Sequence, residues 1–182
     1  VRDGEIMFGL NMVVHKGKTI FVGDTSVHEY PTSEQMAEIA ISTARVVRLF
    51  GFEPKVAFVS HSTFGQPLTS RTKHIRKAVD ILKEQKVDFE FDGDMQPDVA
   101  LNSEYKELYP FSNIVGKANI LIMPGQHSAA ISYKMMKTLG DTKVIGPLLI
   151  GLGLPIEIAP LRSSTSELIN LASVAAYSAD II

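Results

Sequence analysis

A short polar run near the C-terminus has the residue types needed to bind an anion. Arg162, Ser163 and Ser164 stand directly before a predicted helix, and Ser164 with Glu167 forms the Ser-x-x-Glu pattern of a capping box. The free N–H groups and the dipole of a helix N-terminus favour a phosphate group at such a place. Ser164 taken alone is more simply a helix cap, so a phosphate site and a plain helix start both remain open for this segment.

A second polar run, residues 60–67, follows an apolar segment that has the pattern of a buried strand. Its hydroxyl side chains are Ser60, Ser62 and Thr63. They are candidate ligand donors, and equally they are residues that form turns and satisfy their own backbone. His61 between the two serines suggests a nucleophilic triad, but no nucleophile-elbow glycine pattern surrounds it, and we do not predict one.

Metal chemistry is not predicted from the remaining titratable residues. The chain has no cysteine, which excludes a disulfide framework, a thiolate nucleophile and Cys-ligated metals. The other histidines, which lack the spacing of metal ligands, are His15, His28, His74 and His127. Three acidic residues, Asp92, Asp94 and Asp98, surround Gly93 at a spacing more typical of a turn and a helix start than of a carboxylate cluster.

The bulk composition is that of one globular domain. The chain has 182 residues, of which 45% are hydrophobic and 21% charged, and its formal net charge is −2. The scattered basic residues do not indicate a nucleic-acid partner. No apolar run approaches the roughly 18–20 residues that span a bilayer, and no signal-peptide pattern is present, so we expect a cytoplasmic protein without a membrane partner. The chain opens at Val1 within an extended-looking run, and we expect it to be a fragment of a longer polypeptide.

Short apolar runs alternate with amphipathic stretches along the chain, a pattern that predicts an α/β layer fold. The predicted strands are Ile6–Val14, Thr19–Val22, Lys55–Ser60, Phe89–Phe91 and Ala118–Met123. The predicted helices run from a Thr32–Gln35 capping box to Gly51, and over Thr69–Gln85, Pro97–Leu101, Ser128–Leu139 and Thr165–Ala176. We expect a largely parallel sheet with helices on both faces. Ligands should then lie at the carboxyl ends of the strands, in the loops Ser60–Pro67 and Pro124–Ser128.

Five segments match, in order, the motifs of one family. They are FVGDTSVHEYPTSEQMAEIA (Phe21–Ala40), GFEPKVAFVSHSTFG (Gly51–Gly65), FDGDMQPDVAL (Phe91–Leu101), GKANILIMP (Gly116–Pro124) and IGPLLIGLGLP (Ile145–Pro155). Through them the chain resembles the phosphate acetyltransferase family. The SHSTFG run with Phe64 and the LYPFSN run Leu108–Asn113 resemble most the C-terminal phosphate acetyltransferase-like domain of bacterial NADP-dependent malic enzymes.

The resemblance implies the isocitrate/isopropylmalate dehydrogenase-like fold of the phosphate acetyltransferases, present here only in part. Residues 1–155 would form the second lobe of that fold. Residues 156–182 would form a C-terminal segment that returns to a first lobe, which this sequence does not contain.

The resemblance also implies that the catalytic positions have changed. The family has a Ser–Arg pair and a later Asp beyond its last motif, and an ungapped alignment puts Pro160, Leu161 and Glu167 at these positions. A one-residue gap would bring Arg162 to the arginine position without restoring the serine.

A second set of changes follows Pro124. Gly125 and Ala130 stand where active members of the family have Asp and Asn, whereas Tyr133 and Lys134 remain. Losing several polar positions around one cleft argues against transferase turnover.

These changes favour a domain that has lost catalysis, with no catalytic residue assigned, and has kept a place for acetyl-CoA. The candidate coenzyme-binding residues are Arg162, Ser163, Ser164, Tyr133, Lys134, Ser60, Ser62 and Thr63. The resemblance implies an acetyl-CoA sensor within a malic enzyme whose NADP and divalent metal belong to another domain. It also implies a homo-oligomer, and the apolar helix faces Ala40–Val47 and Leu168–Ala176 are candidate contacts with a second copy or, equally, parts of the chain's own core. A working phosphate acetyltransferase and a purely structural assembly module remain the alternatives.

Overall fold

A computed structural model describes residues 5–179, without the side chains at positions 106, 107, 178 and 179. Its strands are β1 (Phe8–His15), β2 (Lys18–Gly23), β3 (Lys55–Val59), β4 (Glu90–Met95), β5 (Ile120–Ile122) and β6 (Thr142–Ile150). Its α-helices are α1 (Ser33–Leu49), α2 (Ser70–Gln85), α3 (Pro97–Leu101), α4 (Gln126–Leu139) and α5 (Thr165–Ala179), and a 3₁₀ helix spans Ser103–Leu108.

Helix α1 begins and ends where its sequence predicts. The Thr32 hydroxyl accepts a hydrogen bond from the Gln35 N–H at 3.1 Å, and the Gln35 side chain accepts one from the Thr32 N–H at 2.8 Å. This reciprocal pair satisfies two of the free amides of the first turn. At the other end, Gly51 has a φ of +81°, which a glycine adopts without strain, so the helix stops there. The predicted capping box and the glycine stop are both confirmed.

The sheet has six strands in the order β4-β3-β5-β2-β1-β6. Four neighbouring strands, β4, β3, β5 and β2, are parallel to one another, which agrees with the predicted parallel sheet. Strand β1 is antiparallel to β2, because a tight turn at Lys16–Gly17 joins the two into a hairpin. Strand β1 is also antiparallel to β6, so the sheet is mixed rather than parallel throughout.

Strand β6 is absent from the sequence prediction. It contains Gly146 and Pro147 in its middle, and both residues weaken a strand pattern. The strand nevertheless forms because Gly146 and Pro147 fall at a shift in its register with β1, where neither residue is paired. The pairing register between β1 and β6 shifts between Leu10 and Met12, next to this proline-containing stretch.

Helices cover both faces of the sheet, as predicted. Alternate residues of a strand point to opposite faces. In β3, Val56 and Phe58 belong to the core formed with α1 and α2, whereas Ala57 and Val59 belong to the core formed with α3 and α4. Helix α5 packs beside β6, where Leu171 is buried in the first of these cores.

Two details differ from the sequence prediction. The sequence alone makes the Met135–Met136 pair of the predicted helix Ser128–Leu139 most simply a part of the core, but Met135 is 54% exposed and only Met136 packs against a core cluster. Strand β4 extends to Met95 rather than ending at Phe91, because its last four residues are buried beside β3. Among residues 5–179, none of the helices is both long and apolar enough to cross a membrane.

Candidate functional site

The carboxyl ends of the parallel strands meet at one edge of the sheet, and two buried carboxylates organise that edge. Asp24 directly follows β2, and Asp94 lies in the last part of β4. Asp24 is 1% exposed and Asp94 is fully buried. Buried carboxylates require hydrogen-bond donors, and each of the two draws its donors from the loops around it.

The Asp24 carboxylate collects donors from two segments of chain. Its Oδ1 accepts from the backbone N–H groups of Gly9 and Ser26, both at 2.8 Å, and of Val27 at 3.1 Å. Its Oδ2 accepts from the backbone N–H of His28 and contacts the imidazole Nδ1 of His28, each at 2.7 Å. Asp24 therefore joins the start of β1 to the end of β2 and fixes the orientation of the His28 ring.

The sequence reasoning missed the Asp24–His28 pair. The four-residue spacing of Asp and His after an apolar strand, with Ser26 between them, was the available signal for a turn closed by the aspartate.

The loop after β3 closes on Asp94. The Ser62 hydroxyl donates a hydrogen bond to Asp94 Oδ2, and the Gly65 N–H donates one to Asp94 Oδ1 at 3.0 Å. The Ser60 and Ser62 hydroxyls are 3.2 Å apart, and the Thr63 hydroxyl accepts from the Gln96 N–H at 3.2 Å. Ser60, Ser62 and Thr63 are all buried. Their hydroxyls thus serve the loop and its connection to β4.

No triad forms around His61. The His61 side chain is exposed, and its Nδ1 is 3.5 Å from the Ser60 hydroxyl, at the limit of a hydrogen bond. Ser62 is hydrogen-bonded to Asp94 directly, with no histidine between them. The neighbouring Asp92 accepts from the backbone N–H groups of Gly93 and Asn113, but Asp92 and Gly93 lie within β4, so the turn predicted around Gly93 is wrong. Within residues 5–179, no cluster of three or more His, Asp or Glu side chains is arranged to hold a metal ion.

The run Arg162–Ser164 stands at the N-terminus of α5, as predicted. The Glu167 carboxylate accepts from the Ser164 N–H at 2.8 Å and from the Ser164 hydroxyl at 3.0 Å, and the Glu167 N–H donates back to that hydroxyl at 3.3 Å. The capping box is therefore confirmed. Since the Glu167 carboxylate already occupies the first turn of α5, the Ser164 amide is not free for another anion.

Glu167 is also held by a cation. The Lys137 ammonium group of α4 lies 2.6 Å from Glu167 Oε1. The hydrogen bond from Lys137, followed by those from the Ser164 N–H and hydroxyl, lowers the pKa of Glu167 from 4.5 to about 2. Glu167 thus stays ionised over the whole range of pH in which proteins normally function.

The residues just before α5 form a turn. The Pro160 carbonyl accepts from the Ser163 N–H at 3.0 Å and from the Ser163 hydroxyl at 2.8 Å. Leu161 at the tip of this turn is fully exposed, and Arg162 is exposed beside it. No other residue within 5–179 forms an ion pair with Arg162.

Tyr133 and Ser163 share a small cavity of about 60 Å³ between α4, β6 and α5, with Pro160 and Glu167 in its wall. Tyr133 is half-buried, and the Lys134 ammonium group lies 5.8 Å from the centre of the Tyr133 ring. Tyr133 and Ser163 therefore line one cavity, and Lys134 and Arg162 are their neighbours in the chain.

The candidate ligand residues fall into two separate groups. Ser60, Ser62 and Thr63 follow β3, whereas Tyr133, Lys134 and the Arg162–Ser164 run lie around β6 and α5. Three strands separate β3 from β6 in the sheet, a distance of roughly 19 Å at the usual strand spacing. Within the part of the chain that the structure describes, the two groups do not line one cleft.

Gly125 is required by its surroundings. A Cβ atom added at Gly125 would lie 2.3 Å from the Glu29 carbonyl oxygen, far inside van der Waals contact. An aspartate at this position, as the family motif has, would displace the Glu29 backbone. The loop before α4 is therefore built around a residue without a side chain.

The fold and its strand edge define an α/β protein whose mixed sheet carries polar loops at the carboxyl ends of the parallel strands. The family model for phosphate acetyl/butaryl transferase matches residues 2–176. The chain belongs to that family.

Its relatives include two kinds of protein. An NADP-dependent malic enzyme of Rhizobium meliloti is 46% identical over 178 residues, which cover 98% of this chain and 23% of that protein. A phosphate acetyltransferase of Clostridium acetobutylicum is 35% identical over 157 residues, which cover 85% of this chain and 47% of that protein. A solved phosphotransacetylase from Streptococcus pyogenes superposes with a TM-score of 0.91 at 29% identity, over 98% of this chain and 55% of that one. The chain thus spans about a quarter of these malic enzymes and about half of the Clostridium acetobutylicum transferase.

Proposed function

We propose that the chain is the regulatory phosphate acetyltransferase-like domain of an NADP-dependent malic enzyme, and that it binds acetyl-CoA as an effector without catalysing acetyl transfer. The similarity to malic enzymes over 95–98% of the chain supports the parent protein. NADP and a divalent metal would serve malate oxidation elsewhere in that protein. The sensing role rests on the state of Glu167.

The engagement of Glu167 is the single observation that carries the proposal, because its carboxylate is already bound by the Lys137 ammonium group at 2.6 Å and by the N–H and hydroxyl of Ser164. Acetyl transfer from coenzyme A needs a base to accept the thiol proton, and the base works best when its pKa lies near the working pH. Glu167 aligns with the acidic residue of the family motif, but its pKa is lowered to about 2 by Lys137 and Ser164. A thiol has a pKa of about 8.5, so a carboxylate held this acidic is a very poor acceptor of its proton.

Neighbouring positions agree with a loss of turnover. Leu161, which aligns with the family's arginine, is an apolar side chain fully exposed to solvent and has no charge for a phosphate. Pro160 aligns with the serine and has no hydroxyl. Gly125 stands where active members have an aspartate, and the Glu29 carbonyl leaves no room for that side chain.

Ligand binding is proposed for the group around β6 and α5. Arg162 is exposed and has no ion-pair partner among the described residues. Its chain neighbour Ser163 shares a cavity with Tyr133, whose ring centre lies 5.8 Å from the Lys134 ammonium group. An unpaired guanidinium and an exposed ammonium group are both side-chain groups that suit the phosphates of a coenzyme. We assign Ser60, Ser62, Thr63 and Ser164 a structural role within this proposal, because each is engaged in its own loop or cap.

Regulation requires that acetyl-CoA bind one arrangement of the parent protein more tightly than another. A homo-oligomer provides such arrangements. The apolar face of α1 is buried in the chain's own core, whereas Leu168 and Ile169 of α5 are 47% and 59% exposed. Helix α5 is therefore the better candidate for contact with a second copy.

The test uses the complete protein and two measurements. Acetyl-CoA is expected to raise the melting temperature, and acetyl-CoA with phosphate is expected to release no free thiol. Arg162→Gln should weaken acetyl-CoA binding about tenfold, the effect of one lost hydrogen bond to a charged group. The matched control is Arg71→Gln, another exposed arginine, on α2. Phosphate-dependent thiol release would refute the proposal, and so would the absence of acetyl-CoA binding.

The second candidate is a working phosphate acetyltransferase. The 35% identity to the Clostridium acetobutylicum transferase is the observation that favours it. Thiol release that is lost in Glu167→Gln would establish this alternative. Neither binding nor thiol release would instead favour a structural assembly module.

A further inference from the structure

A cavity unrelated to the candidate coenzyme residues lies between α1, β6 and α5. Its volume is about 300 Å³, which is the lower end of the range for small-molecule sites. Most of its wall is apolar, and the residues that contribute are Val46, Leu49, Phe50, Leu148, Ile150 and Pro155. At about 30 Å³ for each water-sized group, the space admits about ten non-hydrogen atoms.

One carboxyl group in the wall of this cavity lacks a partner. Glu157 is held in place by a backbone bridge to Leu148 of β6. Its Oε2 atom is buried, and no donor among residues 5–179 reaches it. A buried acceptor without a donor is costly, and it is the kind of exception that a ligand can explain.

The other polar groups around the cavity are already engaged. The Arg45 guanidinium is paired with Glu5 at 2.8 Å, and the Tyr177 hydroxyl donates to the Leu49 carbonyl at 2.9 Å. The Ser42 hydroxyl donates to Glu38 at 3.3 Å. Since Arg45 and Glu5 compensate each other, Glu157 is the one charge lining the cavity that has no counterion within the described residues.

We propose that this cavity binds a primary ammonium group carried on an apolar body of about six to ten non-hydrogen atoms. The ammonium group would donate to Glu157 Oε2, and the apolar body would cover the side chains of α1 and β6. One positive charge neutralises the single unpaired carboxylate, whereas a carboxylate ligand would add a second anion to the same desolvated space. This proposal is independent of acetyl-CoA binding.

The ammonium ligand should depend on pH through Glu157. Burial raises the pKa of Glu157 from 4.5 to about 7, and Glu5, Arg45 and Tyr177 are the other titratable groups facing the cavity. An alkylammonium group stays protonated up to about pH 10, so a change in its affinity between pH 5.5 and 8 does not come from the ligand. The ionised fraction, and with it the affinity for the amine, should rise about 30-fold over that interval.

The experiment is isothermal titration calorimetry on the complete protein, with n-hexylamine and hexan-1-ol as probes at pH 5.5 and 8.0. Hexylamine should bind at pH 8.0 at least about tenfold more tightly than hexan-1-ol, because a hydrogen bond to a charged group is added to the same apolar contact. Hexan-1-ol should show no such dependence on pH.

The variant Glu157→Gln keeps the shape of the side chain and removes its charge. It should abolish the pH dependence and bring hexylamine to the affinity of the alcohol. The control Glu84→Gln, at an exposed position on α2, should leave both unchanged. The proposal is overturned if hexylamine does not bind saturably, if it binds no more tightly than hexan-1-ol, or if Glu157→Gln retains the pH dependence.

Discussion

Glu157 should make the folded protein less stable as the pH rises, and Glu157→Gln should remove that effect. In the unfolded chain the Glu157 carboxyl titrates at its ordinary pKa of 4.5, whereas burial raises the pKa in the folded state to about 7. Below pH 4.5 both states are protonated and the residue contributes nothing. Between 4.5 and 7 the folded state binds more protons, so the free energy of unfolding falls with rising pH, and the full penalty is present above 7.

The size of the effect follows from the interval between the two pKa values. If it applied in full, that interval would correspond to a loss of roughly 3 kcal/mol in the free energy of unfolding when Glu157 ionises. Because Glu157 is only half-buried and its cavity opens to solvent, screening reduces this figure, and we expect about 1–2 kcal/mol. The sign is opposite to that of a carboxylate stabilised by a salt bridge.

Urea unfolding followed by far-ultraviolet circular dichroism measures the effect directly, since the chain has no tryptophan for a fluorescence assay. The free energy of unfolding is compared at pH 5.0 and 8.0 for the wild type, Glu157→Gln and the control Glu84→Gln. Relative to Glu157→Gln, the wild type should lose about 1–2 kcal/mol between the two pH values, and the control should follow the wild type. Parallel profiles for the wild type and Glu157→Gln would show that the carboxyl is well solvated and would refute the reasoning.

Two further predictions concern the helix starts. Glu167→Ala should speed amide hydrogen exchange at residues 164–168, because it removes both the capping box and the Lys137 contact. In the wild type the slow exchange should persist at pH 4 and be lost only as the pH falls towards about 2. Unchanged exchange in the variant would contradict the role of the cap. Gly125→Ala should lower the free energy of urea unfolding by about 2 kcal/mol, because its Cβ would lie 2.3 Å from the Glu29 carbonyl oxygen. The control Gly153→Ala, with no atom within 4 Å of the new Cβ, should be close to neutral. Equal stability of the two variants would argue against a tight loop at Gly125.

The elements that local patterns specify were predicted well. The Thr32–Gln35 and Ser164–Glu167 capping boxes each lie within four residues, and both form as predicted. Strand β6 was missed because Gly146 and Pro147 break the local pattern, while its pairing with β1 joins residues more than 120 positions apart. Contacts of that range leave no periodic trace in the sequence.

The candidate site was harder to predict for the same reason. From the sequence alone, the Ser62 hydroxyl is a plausible ligand donor. In the structure it donates a hydrogen bond to Asp94, which lies 32 residues later in the chain. Glu157 gave no signal at all, because its burial depends on α1, β6 and α5 together. The ionisation of a side chain is set by all the elements that surround it, and only the folded chain brings these together.

The proline in β6 also limits how copies of the chain can assemble. An edge strand with a continuous row of free backbone amides can recruit a strand from another molecule and begin to aggregate. Pro147 interrupts that row, and the backbone bridge between Leu148 and Glu157 occupies the next position along the same strand. Intermolecular strand addition is therefore blocked at this border, and copies of the chain that meet there must do so through side chains.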